Sequence, residues 1–241
     1  MVIKAGLASS ELVGKRYGQK SVVPSDLKTI VDPSSSAVLI VDMQNDFCSP
    51  KGHHALLRKK VALLSPIVER QVNLLRAAKA AQVPLIFVKN ITLKNGLSDS
   101  PAWARFKKKI GGDIPLTVEG SWGAELIDDI KRFVEIQSSL QIEKHRASAF
   151  FETDLDLILR SKAIRTVIVI GTATQGCVLA TALHGLFLGY FVVIVTDCVG
   201  SANLVSHKAA FTLMKEQFDM APSDYIISCW QSHSKKEKGP S

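Results

Sequence analysis

Long apolar runs are missing from this chain of 241 residues. No stretch of about 18 consecutive apolar residues occurs, so we expect no membrane-spanning helix and no membrane partner. Residues 1–20 mix glycine, serine and lysine without a continuous apolar core, which argues against a secretory signal. We therefore expect a cytoplasmic protein, and the residues leave a transit peptide open.

Cysteine is scarce as well, with four residues at positions 48, 177, 198 and 229. No two of them form a Cys-x-x-Cys pair, which argues against a zinc module or a disulfide framework. We expect reduced thiols, as in a cytosolic compartment. Because a free cysteine is usually a small buried hydrophobe, a chemical role for any of the four needs further support.

Acidic residues are outnumbered by basic ones, and the formal net charge is +8. The excess is concentrated in two clusters, Lys107–Lys109 and Lys235, Lys236 and Lys238. These clusters are ordinarily explained as a solvated surface, and a more specific explanation is that they attract an anionic substrate. Neither zinc-finger spacing nor a basic helix with interleaved aromatic residues occurs, so we expect no nucleic-acid partner.

Short β-branched apolar runs alternate with helical patterns through most of the chain. Strands are predicted at residues 37–41, 84–88, 140–143, 166–170, 191–195 and 225–227, and helices at 65–82, 121–133, 153–162, 176–188 and 203–218. This alternation predicts a single-domain, Rossmann-like α/β fold, a three-layer α/β/α sandwich with a mostly parallel six-stranded sheet. We place the domain at 37–230, between an irregular arm (1–36) and a polar, disordered tail (231–241).

Polar side chains stand where the predicted strands end: Asp42, Asn90 and Lys144 follow the first three, and Cys177 opens the helix after the fourth. Ligands of open parallel sheets bind beyond these carboxyl ends, so the side chains are expected to converge. A thiolate is a nucleophile, which a helix N-terminus and an ammonium would both stabilise. A carboxylate could take the thiol proton and pass it to a leaving amine.

Three segments carry a family resemblance. Residues 41–47 (VDMQNDF), 144–151 (KHRASAFF) and 171–178 (GTATQGCV) resemble the motifs of isochorismatase-like cysteine hydrolases, in the family's order. The resemblance implies that fold, a homo-oligomer and a catalytic triad of Asp42, Lys144 and Cys177. It also implies a cis peptide bond between Thr172 and Ala173, and an oxyanion hole formed by the backbone N–H groups of Ala173 and Cys177.

Within that superfamily, Lys89-Asn90 and residues 120–126 (GSWGAEL) are similar to segments of ureidoacrylate amidohydrolases. The resemblance implies a small carbamoyl or amide substrate. Cys177 would attack its carbonyl carbon, an amine or ammonia would leave, and water would hydrolyse the acyl-enzyme. Candidate substrate contacts are Asn90, Gln44, Phe47 and Trp122. Asn90 is favoured because an amide side chain can pair with both the donor and the acceptor of a carbamoyl group.

Two departures from the family pattern leave alternatives open. The nucleophile turn reads Gln175-Gly176 where the family usually has Asn or Asp followed by an apolar residue, and Ala147 stands where the ureidoacrylate branch commonly has tyrosine. These changes suit a different substrate, or a non-enzymatic binding module on the same scaffold. An isochorismatase- or nicotinamidase-type hydrolase is a further alternative, although cleavage of a vinyl ether needs no thiol.

Metal binding is not expected. Nicotinamidases resemble this chain in the order of the triad but also bind a metal through an aspartate and histidines. No Asp-x-His follows the second strand here, and the adjacent His53 and His54 are more typical of a loop than of a metal pair. We therefore predict neither a metal nor another cofactor.

Overall fold

The computed structural model describes residues 23–134 and 140–237, with side chains through residue 233. Its centre is a six-stranded sheet with the strand order β3-β2-β1-β4-β5-β6, in which every neighbouring pair is parallel. The strands are β1 Ser36–Val41, β2 Leu85–Asn90, β3 Leu140–Lys144, β4 Thr166–Thr172, β5 Phe191–Gly200 and β6 Asp219–Ala221. The predicted α/β fold with a parallel six-stranded sheet is confirmed.

Helices connect the strands and cover both faces of the sheet. They are α1 Leu27–Ile30, α2 Asn45–Cys48, α3 His53–Leu56, α4 Ser65–Ala80, α5 Pro101–Gly111, α6 Asp128–Val134, α7 Leu155–Ser161, α8 Leu179–Phe187, α9 Leu204–Gln217 and α10 Ser223–Glu237. A π-helical turn, Thr174–Val178, precedes α8, and 3-10 turns lie at Pro33–Ser35, Val61–Leu64 and Trp122–Ala124. In the described part of the chain, no helix is long and apolar enough to span a bilayer.

The alternation of side chains along buried strands divides the core into two layers. Val38 and Ile40 of β1 pack with α4, α6 and α10, whereas Leu39 and Val41 pack on the opposite face with α7 and α8. All six residues of β1 are buried, as expected for a central strand covered on both sides. The covered faces leave the carboxyl edge of the sheet as the place where polar side chains can collect.

The C-terminal segment differs from its prediction. Residues 225–227, predicted as the last strand, lie in α10, and the sixth strand is Asp219–Ala221. The start of α10 is tied to β5, because Asp197 accepts hydrogen bonds of 2.8 Å from both the backbone N–H and the hydroxyl of Ser223. Ile226 and Trp230 are then buried one helical turn apart, a spacing that three apolar residues in a row do not reveal.

Two other predicted segments differ from the elements in the structure. The helix predicted at 121–133 is a 3-10 turn followed by α6, because Leu126 forms an antiparallel bridge with Gln44 and interrupts it. Residues 231–237, predicted as disordered tail, continue α10. Residues 1–22 of the predicted arm and 238–241 of the tail lie outside the described residues, and the division into arm, domain and tail stays a prediction.

Candidate active site

Three side chains from three separate parts of the sheet edge meet at one point. Asp42 directly follows β1, Lys144 ends β3, and Cys177 lies in the π-helical turn between β4 and α8. The Lys144 Nζ atom lies 2.9 Å from Asp42 Oδ2 and 3.3 Å from Cys177 Sγ. The structure therefore brings the three predicted catalytic residues together, with the ammonium between the carboxylate and the sulfur.

The backbone around β1 and β4 has an unusual conformation where the strands end. Asp42 has a φ of 52°, in the left-handed region. Gly171, paired with Val41 in the sheet, has a φ of 121°, and a Cβ atom on it would lie 2.0 Å from the carbonyl oxygen of Val41. Only glycine therefore fits here. The peptide bond between Thr172 and Ala173, just after Gly171, is cis, as the family resemblance implies.

Burial and charge pairing set the state of the ammonium and the carboxylate. Lys144 is fully buried and Asp42 is 1% exposed. Burial raises the pKa of Asp42, and the positive charge of Lys144 opposes that rise. For Lys144, burial acts to lower the pKa, but attraction to Asp42 and Cys177 outweighs it, so the pKa is raised. The two groups form a buried ion pair in which the charge of each partner favours the charged form of the other.

The thiol is not a thiolate at rest. Burial raises the pKa of Cys177 to about 12, the charge of Asp42 adds to the rise, and Lys144 opposes it. Lys144 therefore favours the thiolate, as expected of an ammonium beside a thiol, but burial and Asp42 outweigh it in the resting site. One carboxylate oxygen is available for the proton, because Asp42 Oδ1 is buried without a hydrogen-bond partner among the described residues.

The four predicted substrate contacts have different surroundings. Asn90 ends β2, is paired in the sheet with Lys144, and is partly buried. No hydrogen bond from its side-chain amide to any described residue is present, so the amide is free for a ligand. Gln44 is fully buried, and its amide bonds the backbone N–H and carbonyl of Asn90 and the carbonyl of Ala124 at 2.8–2.9 Å. Gln44 thus positions Asn90.

The two aromatic candidates are not brought to the triad. Phe47 is 8% exposed and packs edge-on against His54, with 5.1 Å between the ring centroids. Trp122 is 53% exposed and lines a cleft of about 740 Å³ between α2, α4 and α6. None of the triad residues lines this cleft. The structure therefore supplies a packing role for Phe47 and a surface position for Trp122.

The adjacent histidines are engaged within the protein. His53 Nε2 lies 2.8 Å from the carbonyl oxygen of Gly111. Burial lowers the pKa of His54 to about 3, which keeps its ring neutral beside Phe47. Among the described residues, no cluster of three His, Cys, Asp or Glu side chains is placed to hold a metal ion.

Two contacts of the site have no signal in the sequence. The Arg146 carbonyl oxygen accepts a 3.0 Å hydrogen bond from Lys144 Nζ, and residue type carries no signal for a backbone acceptor. Thr174, fully buried in the π-helical turn of Cys177, has its Oγ1 2.8 Å from His207 Nδ1. His207 comes from α9, 33 residues away, so only the fold reveals that contact.

Comparisons with known proteins place this geometry in context. A family model described as Isochorismatase domain matches residues 36–222. The chain is 32% identical over 216 residues to "Ureidoacrylate amidohydrolase RutB" of Acinetobacter baylyi, covering 85% of this chain and 87% of the relative. The protein of the same name from Caulobacter segnis is 31% identical over 185 residues, covering 72% and 75%. A crystal structure of a cysteine hydrolase from Pseudomonas syringae pv. phaseolicola matches with a TM-score of 0.71 and 27% identity, covering 84% of this chain and 95% of that one.

Proposed function

Since this chain belongs to the isochorismatase family and is a hydrolase of carbon–nitrogen bonds other than peptide bonds, we propose that it uses Cys177 to hydrolyse a small carbamoyl or amide substrate related to ureidoacrylate. The observation that carries the proposal is the ammonium of Lys144 between Asp42 Oδ2 and Cys177 Sγ. The names of the two curated relatives support the substrate class.

The first half-reaction begins from a neutral thiol. Asp42 Oδ1, which has no other partner among the described residues, takes the proton of Cys177 as the sulfur attacks the carbonyl carbon. Lys144 stabilises the negative charge on the sulfur while that proton moves. Collapse of the tetrahedral intermediate breaks the carbon–nitrogen bond, and the proton on Asp42 passes to the leaving amine or ammonia.

The second half-reaction restores the enzyme. Asp42, ionised again, takes a proton from water as the water oxygen attacks the acyl carbon. The carbon–sulfur bond breaks, and the sulfur recovers the proton. In both halves, the backbone N–H groups of Ala173 and Cys177 would stabilise the oxyanion, and the free amide of Asn90 would bind the carbamoyl group.

The wider setting stays at the level of prediction. A cytoplasmic location, a homo-oligomer, the absence of a nucleic-acid partner and the preference for an anionic substrate are expectations from the sequence. Lys107 adds little to a field for anions, because its ammonium pairs with Asp99 at 2.7 Å and both side chains are less than one fifth exposed. A substrate anion would need other cations.

The proposal is tested by measuring amine and ammonia release from ureidoacrylate and from simple carbamoyl compounds and amides. Wild-type protein should turn over at least one of them, and Cys177→Ala should lower kcat at least about a thousandfold, since the nucleophile is lost. Mass spectrometry of quenched reactions should find the acyl group on the peptide that contains Cys177.

The matched control is Cys48→Ala, which removes another partly exposed thiol and should keep turnover. Equal rates for wild type and Cys177→Ala would contradict the proposed mechanism. If wild-type protein binds these compounds but releases no product from any of them, the binding-module alternative is favoured.

A further inference from the structure

Helix α5 (Pro101–Gly111) rests on the molecule without a buried apolar face. Gly111 is its only buried residue, and its large apolar side chains Phe106 and Ile110 are 43% and 48% exposed. Most helices are stabilised by packing of an apolar face. Because α5 lacks one, its attachment depends on individual polar and aromatic contacts.

The middle and the C-terminal end of α5 are held by four such contacts. His53 Nε2 lies 2.8 Å from the carbonyl oxygen of Gly111, and Lys59 Nζ donates to that of Ile110 at 2.9 Å. Lys107 forms the partly buried ion pair with Asp99 and donates a 2.6 Å hydrogen bond to Thr92 Oγ1. These contacts join α5 to α3, to residue 59, to the loop before α5 and to Thr92 just after β2, and none of them involves the triad.

The N-terminal end of α5 contacts the side chain of Arg146. Its guanidinium carbon lies 5.2 Å from the centre of the Trp103 ring, a cation–π contact. Its NH1 group also donates a 2.7 Å hydrogen bond to the carbonyl of Ser98, just before α5. The side chain of Arg146 therefore connects both α5 and its leading loop to the segment that follows β3.

The backbone of the same residue contacts the catalytic ammonium. Lys144 Nζ has three hydrogen-bond partners, which are Asp42 Oδ2, Cys177 Sγ and the Arg146 carbonyl oxygen. An ammonium has three N–H donors, so these contacts use all of them. The carbonyl of Arg146 is the only one of the three that belongs neither to the carboxylate nor to the sulfur, and it fixes the direction of the ammonium.

We propose that Arg146 is a positioning residue that latches α5 through Trp103 and, through its backbone carbonyl, holds Lys144 in line with Asp42 and Cys177. Docking of α5 and alignment of the ammonium are therefore coupled. When the Trp103 end is released, the segment at residue 146 loosens and Lys144 loses its third partner. The inference rests on the proposed function only in assuming that Lys144 takes part in hydrolysis.

The test compares Arg146→Met with Trp103→Leu, each of which removes one side of the contact between Arg146 and Trp103. Each variant should lower kcat about tenfold, the scale of one partly desolvated cation–π contact, with little change in KM. Amide hydrogen exchange across residues 100–112 should become faster in both. The double variant should be no worse than Arg146→Met, because loss of the arginine already removes both the contact with Trp103 and the hydrogen bond to Ser98.

Arg105→Met is the matched control, since Arg105 is an exposed arginine of the same helix and should leave kcat and exchange unchanged. Arg146→Lys, which keeps a cation for Trp103, should recover part of kcat. The proposal is overturned if amide hydrogen exchange in α5 is the same in both variants as in wild type. It is also overturned if Arg146→Met raises KM while Trp103→Leu behaves as wild type, because Arg146 would then contact substrate directly. Hydrogen exchange needs no turnover, so this readout stands even if the proposed hydrolysis fails.

Discussion

The charge on the Cys177 sulfur depends on two neighbours of opposite sign. Asp42 raises the pKa of the thiol and Lys144 lowers it, and burial brings the pKa to about 12. In the resting site the sulfur therefore keeps its proton, and Asp42 Oδ1 is without a hydrogen-bond partner among the described residues. This arrangement protects the sulfur from unspecific reaction while keeping a base in reach, because thiols react as thiolates.

Asp42→Asn should separate reactivity from catalysis. Removing the negative charge lowers the pKa of Cys177, so at pH 7–8 a larger fraction of the sulfur is ionised beside Lys144. We expect alkylation of Cys177 by iodoacetamide to become at least about tenfold faster, the effect of one pKa unit. Hydrolysis should fall at least about a hundredfold because the proposed general base is lost. Peptide mass mapping measures the first effect and product release the second.

Lys144→Met should shift the pKa of Cys177 in the opposite direction from Asp42→Asn. Without the ammonium the pKa of Cys177 rises further, so alkylation should be slower than in wild type at the same pH. Both variants are assayed below their measured Tm, because each leaves a buried charge without its partner. Unchanged or slower labelling in Asp42→Asn would show that Asp42 does not control the thiol.

At the scale of elements, the site depends on how closely β1 and β4 approach where they end. The buried residues of β1 pair with those of β4 in a fixed register, and Asp42 is the first residue after β1. That register places Gly171 against Val41, so the backbone that leads into the turn of Cys177 is in contact with the strand that Asp42 follows. A side chain at position 171 would force the two strand ends apart.

Gly171→Ala should therefore be strongly destabilising. Its Cβ would lie 2.0 Å from the Val41 carbonyl oxygen, at a φ of 121° that is unfavourable for alanine. We expect the free energy of unfolding to fall by at least about 3 kcal/mol, measured by urea denaturation.

Gly111→Ala is the control for that substitution. Its Cβ would meet His53 Nε2 at 3.6 Å, an ordinary contact, and it lies within helix α5. Because alanine is favoured over glycine in helices by about 1 kcal/mol, this variant should be neutral or slightly more stable. A similar loss in both variants would mean that the close approach of β1 and β4 is not the cause.

At the scale of the whole molecule, the C-terminal helix α10 contacts the segment before β1. Trp230 of α10 is 1% exposed, and its indole N–H donates a 2.9 Å hydrogen bond to the carbonyl of Val31, near the start of the described residues. Its ring belongs to the core layer that α4 and α6 share with the sheet. The C-terminal helix is therefore part of the domain's core.

Trp230→Ala should lower the free energy of unfolding by about 3–5 kcal/mol, since it opens a large cavity and leaves the Val31 carbonyl without its donor. Trp122→Ala is the matched control, because that side chain is 53% exposed and its loss should cost less than about 1 kcal/mol. Thermal unfolding followed by circular dichroism measures both. A stable Trp230→Ala protein would show that α10 contributes little to the core.

Much of the fold was predictable because its signals are local. Strands β1, β2, β4 and β5 each contain a short apolar run with β-branched residues, whereas β3 alternates apolar and polar residues (LQIEK), and polar residues follow where these strands end. The strand prediction for residues 225–227 is wrong because a short apolar run fits a strand and one side of a helix equally well. The tie between Asp197 and Ser223 that starts α10 joins residues 26 positions apart and leaves no local pattern.

By itself, the sequence determined the alternating α/β order, the parallel sheet and the positions of Asp42, Lys144 and Cys177 at strand ends. These follow from hydrophobic periodicity and from the geometry of parallel sheets. Only the tertiary structure decided that Cys177 rests as a thiol, that Gln44 holds Asn90, and that Arg146 joins α5 to Lys144. Burial, pKa and backbone hydrogen bonding depend on which distant segments lie in contact, and no residue pattern records that.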